Sequence, residues 1–117
     1  MTQITRGDIY YAVLDSAIGS EQDGIRPVLV AQNNIGNRHS PTTQIVPLTT
    51  QHKKSNLPTH VQISSVCGLD ADSIALAEQL RTIDKSRLGR YVGRISADEQ
   101  AAIDTALSVS LGLEVAA

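Results

Sequence analysis

The chain has 117 residues, 41% of them apolar, a formal net charge of −2, one cysteine and only three aromatic residues, all tyrosine. This length suits one domain, residues 1–117, with a modest aliphatic core, and the lone Cys67 excludes an internal disulfide or a cysteine metal cluster and is typical of a cytoplasmic protein. No apolar run approaches the roughly 20 residues that cross a bilayer, and the N-terminus lacks the apolar segment of a signal peptide, so we expect no membrane partner.

Charge is distributed unevenly along the chain. Residues 95–117 contain four of the twelve acidic residues and no Lys or Arg. Residues 1–94 therefore hold all ten basic residues against eight acidic ones. Such a body can carry a basic face, which permits a polyanionic partner although the whole chain is slightly acidic.

The first half of the chain reads as three strands separated by polar loops. Partial alternation predicts a strand over 7–14, and a β-branched apolar run predicts another over 26–32. The Asn and Gly residues of 33–37 are typical of a turn. A third strand is predicted over 43–49, where Pro47 favours a sheet edge or a bulge.

The second half begins with the polar loop 50–58, which has the densest positive charge in the chain. Alternation predicts a short strand over 60–63 and a longer one over 73–83. Asp84 is placed to cap a short helix that ends at Leu88, and a last strand is predicted over 91–95.

One helix is predicted at the C-terminal end. Ser96 and Glu99 have the spacing of a capping box, and apolar residues follow at helical spacing over 97–111. Several short strands followed by one helix predict a mainly β fold, a small and strongly curved β-barrel with a C-terminal helix packed on it.

Common catalytic and metal-binding motifs are missing from the sequence. The histidines His39, His52 and His60 fall in separate segments without ligand spacing, so we predict no metal site and no cofactor. A hydrolase nucleophile elbow is absent. Gly19 and Gly24 lack the Lys-Ser/Thr pair that completes a phosphate-binding loop.

A pair of strand ends offers a different chemistry. Arg26 begins one predicted strand, and Pro27 restricts it to an extended conformation; Thr49 ends another strand. If these strands are antiparallel neighbours, both side chains lie at one end of the sheet. A guanidinium and a hydroxyl can hold a phosphate without a metal. The alternative, that Arg26 is an ordinary surface arginine, stays open on this pattern alone.

Five blocks in order resemble the MazF/PemK family of toxin endoribonucleases, especially its Gram-positive forms. The resemblance covers nearly the whole chain, and the blocks are RGDIY (6–10), GSEQDGIRPVLVAQNNIGN (19–37), NRHSPTT (37–43), LPTHVQI (57–63) and EQLRTIDKSRL (78–88).

The resemblance implies an SH3-like small β-barrel of the CcdB/MazF type that forms a homodimer. It implies a toxin–antitoxin system in which the toxin cuts single-stranded mRNA at short sequences without metal or cofactor. It also implies a cognate MazE-like antitoxin that blocks the RNA groove, so that DNA is contacted only indirectly. We expect the 2′-hydroxyl of RNA to act as nucleophile, which leaves a 2′,3′-cyclic phosphate and a 5′-hydroxyl end.

Carried over residue by residue, the resemblance implies that Arg26 and Thr49 are catalytic. Glu21 and His60 both remain candidates for accepting the 2′-hydroxyl proton. The predicted RNA-binding residues lie in the loops and strands around this pair: Arg6, Ser20, Glu21, Thr50, Gln51, Lys53, Lys54, Leu57, His60, Glu78, Gln79 and Arg81.

The chain departs from the similar Bacillus-type sequences in its aromatic residues. Position 39 is His in place of Phe, and the loop over 15–25 has no aromatic residue. Base stacking on aromatic side chains contributes about 1–3 kcal/mol per base. Base recognition must therefore rely more on hydrogen bonds, Leu57, His39 or the tyrosines.

Two other functional classes compete with the ribonuclease. A non-catalytic toxin of the same fold that binds a protein such as DNA gyrase would not require both Arg26 and Thr49. A plain SH3-like interaction module would need an exposed cluster of Tyr or Trp for proline-rich peptides, and the chain has no Trp and only three Tyr.

Overall fold

The computed structural model describes residues 3–15, 18–19, 21, 24–51 and 57–113. The strands are β1 Asp8–Leu14, β2 Gly24–Val30, β3 Thr42–Thr49, β4 His60–Ile63, β5 Ser73–Leu76, β6 Arg81–Asp84 and β7 Leu88–Arg94. The helices are α1 Asn34–His39 and α2 Ala97–Leu111, with single 3₁₀ turns at Ser65–Cys67, Ala77–Gln79 and Lys85–Arg87. Within these ranges no helix is long and apolar enough to cross a membrane.

All seven strands belong to one antiparallel sheet. Its order is β4-β5-β3-β2-β1-β7, and β6 pairs with β3 beyond the end of β5. The 3₁₀ turn 85–87 joins β6 to β7, which pairs with β1, so five strands curve round toward a ring. The pairing of the described strands includes no β6–β7 ladder. The predicted mainly β fold with a C-terminal helix is confirmed, and its barrel is left open between β6 and β7.

Two apolar clusters lie on opposite faces of the sheet. Leu29 and Leu48 belong to the cluster that α2 covers through Ile103. Val28 and Ile45 belong to the second cluster, together with residues of β1, β6 and β7. Successive residues of a strand point to opposite faces, so β2 and β3 supply both clusters from alternating positions.

The start of α2 confirms the predicted capping box. The Ser96 side chain accepts a hydrogen bond from the Glu99 amide at 3.1 Å, and one Glu99 carboxylate oxygen accepts from the Ser96 amide at 2.9 Å. The other oxygen accepts from the Ser64 amide at 2.8 Å, which ties the helix to the segment after β4. The helix ends at Leu111, and Gly112, whose φ is 70°, closes the last turn.

The turn predicted over 33–37 is wrong, because the helix α1 occupies this segment. The Asn33 side chain caps it by accepting from the Gly36 amide at 2.8 Å. The Asn37 side chain, only 2% exposed, accepts from the Thr43 hydroxyl at 2.8 Å and from Gln32 Nε2 at 3.2 Å. These tertiary hydrogen bonds outweigh the turn propensity of Asn and Gly.

The expected edge position of Pro47 is also wrong, since β3 is a central strand. Pro47 falls between Ile45, the last residue paired with β6, and Leu48, the first paired with β5. The Ala31 amide donates to the Gln44 carbonyl at 2.9 Å, so these two residues form a hydrogen-bonded pair between β2 and β3. Hydrogen-bonded and non-hydrogen-bonded pairs alternate along an antiparallel ladder, so the Pro47 nitrogen points away from β2, into this gap. Pro47 therefore removes no ladder hydrogen bond.

The strand predicted over 73–83 is interrupted by the 3₁₀ turn 77–79, because β5 and β6 pair with different parts of β3. Asp84 caps only the single turn 85–87, and β7 begins at Leu88. The hydrogen bond from the Ser86 amide lowers the pKa of the Asp84 carboxyl.

The 3₁₀ turn 65–67 packs directly on the backbone of β7. A Cβ atom added at Gly93 would lie 1.7 Å from the Cys67 carbonyl oxygen. One added at Gly68, whose φ is 124°, would lie 2.4 Å from the Val92 carbonyl oxygen. This close approach requires glycine at both positions.

Candidate active site

Arg26 and Thr49 lie on neighbouring antiparallel strands. Val28 pairs with Pro47, and Val30 pairs with Ile45. Extended by two residues, the same register sets Arg26 opposite Thr49. Directly opposite residues have Cβ atoms about 4.5–5.5 Å apart and share one face of the sheet, so both side chains can reach one phosphate.

The two side chains have different surroundings. Arg26 is half-buried, and on its other side it pairs with Ala12 of β1. Thr49 is 7% exposed, and its hydroxyl oxygen accepts a hydrogen bond from the Gln51 amide at 3.1 Å. Because the hydroxyl oxygen already accepts from the protein, its hydrogen remains for donation to a ligand. Thr50 and Gln51 are exposed at the start of the following loop.

Two further predicted residues share the face of Arg26 and Thr49. Arg81 pairs with Ile45, and paired residues point to the same side of a sheet. Thr49 pairs with Ile74 of β5, and Leu76, two residues further along that strand, pairs with His60. A strip across β2, β3, β4 and β6 therefore carries two arginines, a threonine and a histidine.

His60 belongs to a compact polar cluster at one side of this strip. His60 Nε2 lies 2.9 Å from one Glu78 carboxylate oxygen, and the Thr59 hydroxyl donates to the other at 3.0 Å. Burial raises the pKa of Glu78, but the hydrogen bonds from His60, its own backbone and Thr59 outweigh it and bring the pKa below its ordinary value. Glu78 is therefore an ionised acceptor near neutral pH.

Arg6 is not brought together with Arg26. Its guanidinium lies 2.5 Å from Asp104 of α2, and its Nε donates to the Ala31 carbonyl at 3.0 Å. Ala31 follows β2 and is five residues from Arg26, about 16 Å away at the rise of a strand. These contacts of the Arg6 side chain with Asp104 and Ala31 hold α2 against the sheet.

The loops around the site are described only in part. Glu21 lies exposed between β1 and β2, and its amide donates to the Ile18 carbonyl at 3.2 Å. Leu57 is exposed before β4, and Gln79 lies half-buried in the turn after β5. The remaining predicted residues lie outside the described residues: Ser20, Lys53 and Lys54.

The sequence-based site list omitted Thr59, although its hydroxyl helps to hold the Glu78 carboxylate. The sequence feature that could have identified Thr59 is its position in the block LPTHVQI, directly before His60. The arrangement as a whole offers a fixed cation and a hydroxyl donor, with an acceptor cluster further along one sheet face. These groups suit an anionic ligand that also presents hydrogen-bond donors.

The sequence matches the family described as PemK-like, MazF-like toxin of type II toxin–antitoxin system over residues 5–111. It is 48% identical over 111 residues to Endoribonuclease EndoA of Bacillus subtilis (strain 168), which covers 94% of this chain and 96% of that protein. The fold is similar to that of MazF from Deinococcus radiodurans, with a TM-score of 0.83, 25% identity and coverage of 97% and 100%. It is also similar to a mycobacterial endoribonuclease solved in complex with its cognate antitoxin, with a TM-score of 0.76, 30% identity and coverage of 99% and 100%.

Proposed function

The chain belongs to the PemK-like, MazF-like toxin family of type II toxin–antitoxin systems, and on that premise we propose that it is a sequence-specific, metal-independent ribonuclease toxin. Its enzymatic class is that of an endoribonuclease. The proposed substrate is single-stranded RNA, chiefly mRNA, in the cytoplasm. Arg26 and Thr49 are the proposed catalytic pair. The observation that supports the proposal is the antiparallel pairing of β2 with β3 up to Val28 and Pro47, a register that sets Arg26 opposite Thr49 when it is continued for two residues.

In the proposed reaction the nucleophile is the 2′-hydroxyl of the RNA itself. The 2′-oxygen attacks the adjacent phosphorus, and the bond from phosphorus to the 5′-oxygen breaks. The 2′-hydroxyl proton passes to a base, and the departing 5′-oxygen takes up a proton. The products are a 2′,3′-cyclic phosphate and a 5′-hydroxyl end, and no metal-activated water is needed.

Arg26 and Thr49 act on the charge that develops on the non-bridging phosphate oxygens. A guanidinium is a donor without an acceptor atom and stays protonated in proteins, so Arg26 stabilises negative charge rather than removing the proton. Thr49 donates its hydroxyl hydrogen to a neighbouring oxygen. Two donors fixed on adjacent strands need little rearrangement as the transition state forms.

Glu21 is the proton acceptor that we propose. His60 lies on β4, two strands from β3, which is about 10 Å at ordinary strand spacing. His60 Nε2 also lies 2.9 Å from the Glu78 carboxylate, so this ring already has a partner away from the phosphate held between Arg26 and Thr49. Glu21 lies in the loop that leads into Arg26, so it can approach the same phosphate.

The rest of the strip is proposed to bind RNA on either side of the cut. Arg81 supplies a cation, and the cluster of His60 and Glu78 supplies donor and acceptor atoms for base edges. Thr50, Gln51 and Leu57 border the groove. A MazE-like antitoxin that covers this face would block RNA entry, and the active toxin is proposed to be a homodimer.

Mapping of the product ends tests the reaction. A long unstructured RNA is incubated with the protein in EDTA, and new 5′-hydroxyl and 2′,3′-cyclic phosphate ends are sequenced. We expect cuts at one short sequence. A deoxyribose on the 5′ side of the cut, which removes the nucleophile, should prevent cleavage there. Cleavage that persists at the deoxyribose, or products with 5′-phosphate ends, would contradict the mechanism.

The backbone amide of Gln51 offers a narrower test of Thr49. Gln51→Pro removes the hydrogen bond to the Thr49 hydroxyl, whereas Gln51→Ala keeps the amide and removes only the exposed side chain. We expect the single-turnover rate of Gln51→Pro to fall about fivefold below that of Gln51→Ala, because one neutral hydrogen bond contributes about 1 kcal/mol. Equal rates for the two variants would argue against an oriented hydroxyl.

A further inference from the structure

A cavity of about 560 Å³ opens beside β1 and β7, where the end of α1 approaches them. This size lies within the range of small-molecule sites. We call it the tyrosine pocket. No Asp or Glu is among the described residues that line it, and its principal side chains are those of Ile4, Tyr10, Arg38, Lys85, Leu88 and Tyr91.

The chain has only three aromatic residues, and the structure gathers all three on β1 and β7. Tyr10 pairs with Tyr91 across the two strands, and their rings meet edge to face with centroids 5.4 Å apart. Arg90 lies over the ring of the neighbouring Tyr11, 4.8 Å from its centre. Tyr10 is 7% exposed and Tyr91 is 51% exposed, so a buried ring braces an accessible one.

Two cationic side chains, Arg38 and Lys85, line the same cavity as the accessible ring. Arg38 is exposed near the end of α1 and takes part in none of the ion pairs between described residues. The Lys85 ammonium donates to the Asn37 carbonyl, which fixes it at the pocket wall. Burial, the Asp8 carboxylate and Tyr91 raise the pKa of Tyr10, so its hydroxyl remains a hydrogen-bond donor.

A ligand for this pocket must present a flat ring, negative charge and hydrogen-bond acceptors together. A nucleotide has all three: a base that stacks on an aromatic side chain and a phosphate that binds a guanidinium or an ammonium. An acidic peptide would match the charge, but it would offer a ring to Tyr91 only where an aromatic residue lies beside the acidic one. The two cations, with no Asp or Glu among the described lining residues, favour a phosphate over a neutral aromatic ligand.

We propose that the tyrosine pocket binds one nucleotide of the RNA substrate, outside the phosphate that is cut. The base stacks on Tyr91, and its phosphate contacts Arg38 and Lys85. This inference rests on the proposed ribonuclease function. The pocket is near the candidate catalytic pair. Tyr10 lies two residues along β1 from Ala12, and Ala12 pairs with Arg26. Strand geometry therefore gives about 8 Å between the backbones of Tyr10 and Arg26. A stacking platform here supplies the base contact that the loop over 15–25 lacks.

Binding of a labelled single-stranded RNA tests the proposal. The probe carries the mapped cut sequence, with a deoxyribose at the cut position so that it stays intact. Tyr91→Ala should weaken binding about 5- to 150-fold, the range that corresponds to loss of one stacked base, whereas Tyr91→Phe keeps the ring and should bind like the parent. Arg38→Gln should reduce the slope of log Kd against log salt by about one phosphate contact. Melting curves establish that the variants fold.

Two results would overturn the inference. Tyr91→Ala could bind the probe as tightly as Tyr91→Phe does. Alternatively, Tyr91→Ala could shift the equilibrium between protomer and dimer in sedimentation, with RNA affinity per dimer unchanged, which would make the pocket an interface between two copies. Both results are distinct from failure of the proposed function, because cleavage by the parent protein in EDTA is measured separately.

Discussion

Arg26→Ala should lower the single-turnover rate of RNA cleavage by about 10²- to 10³-fold or more, with the fold retained. Removal of one neutral donor to a developing oxyanion costs about this much in other enzymes, and a guanidinium carries a full charge in addition. Arg26 is half-buried at the start of β2, outside the two apolar clusters. The measurement is the decay of a labelled RNA with enzyme in excess, beside a melting curve for each variant.

Two arginine variants serve as controls. Arg26→Lys keeps the charge but loses the fork of two parallel N–H donors, so its rate should lie between those of the parent and Arg26→Ala. Arg90→Ala removes an exposed arginine that stacks on Tyr11 and should leave the rate close to that of the parent. Equal rates for Arg26→Ala and the parent would remove the site assignment. Equal losses for Arg26→Ala and Arg90→Ala would indicate that net charge matters and position does not.

Gly93→Ala should destabilise the protein by about 3 kcal/mol or more, which corresponds to a fall in melting temperature of about 10 °C. The added Cβ would lie 1.7 Å from the Cys67 carbonyl oxygen, and the neighbouring atoms are backbone, which cannot rotate away. Either the turn 65–67 must leave β7 or β7 must bend.

The matched control is Gly89→Ala on the same strand. A Cβ at Gly89 would lie 3.5 Å from the Tyr11 carbonyl oxygen, an ordinary contact, so this variant should melt close to the parent. Melting should be compared at one protomer concentration, because a dimer gains stability with concentration. If Gly93→Ala and Gly89→Ala have the same melting temperature, the turn 65–67 does not need this close approach to β7.

Local patterns were sufficient where neighbouring residues in the chain make the interaction. The Ser96 and Glu99 capping box predicted the start of α2, because both partners lie within one turn. Local patterns failed at α1, where the side chain of Asn37 depends on Thr43 of the next strand. Local patterns also failed at Pro47. A central strand can hold this proline only because the pairing of β3 with β6 ends before it and the pairing with β5 begins after it.

The sequence by itself determined the mainly β class, the C-terminal helix and the identity of the two residues proposed for catalysis, since periodicity, capping and motif order are properties of short stretches. Only the tertiary structure decided that the strands of Arg26 and Thr49 are antiparallel neighbours, that Arg6 is turned toward Asp104, and that Tyr10 and Tyr91 meet beside one cavity. The physical reason is that register and cross-strand pairing join residues far apart in the chain. Long-range hydrogen bonding and burial fix those pairs, and no local pattern records them.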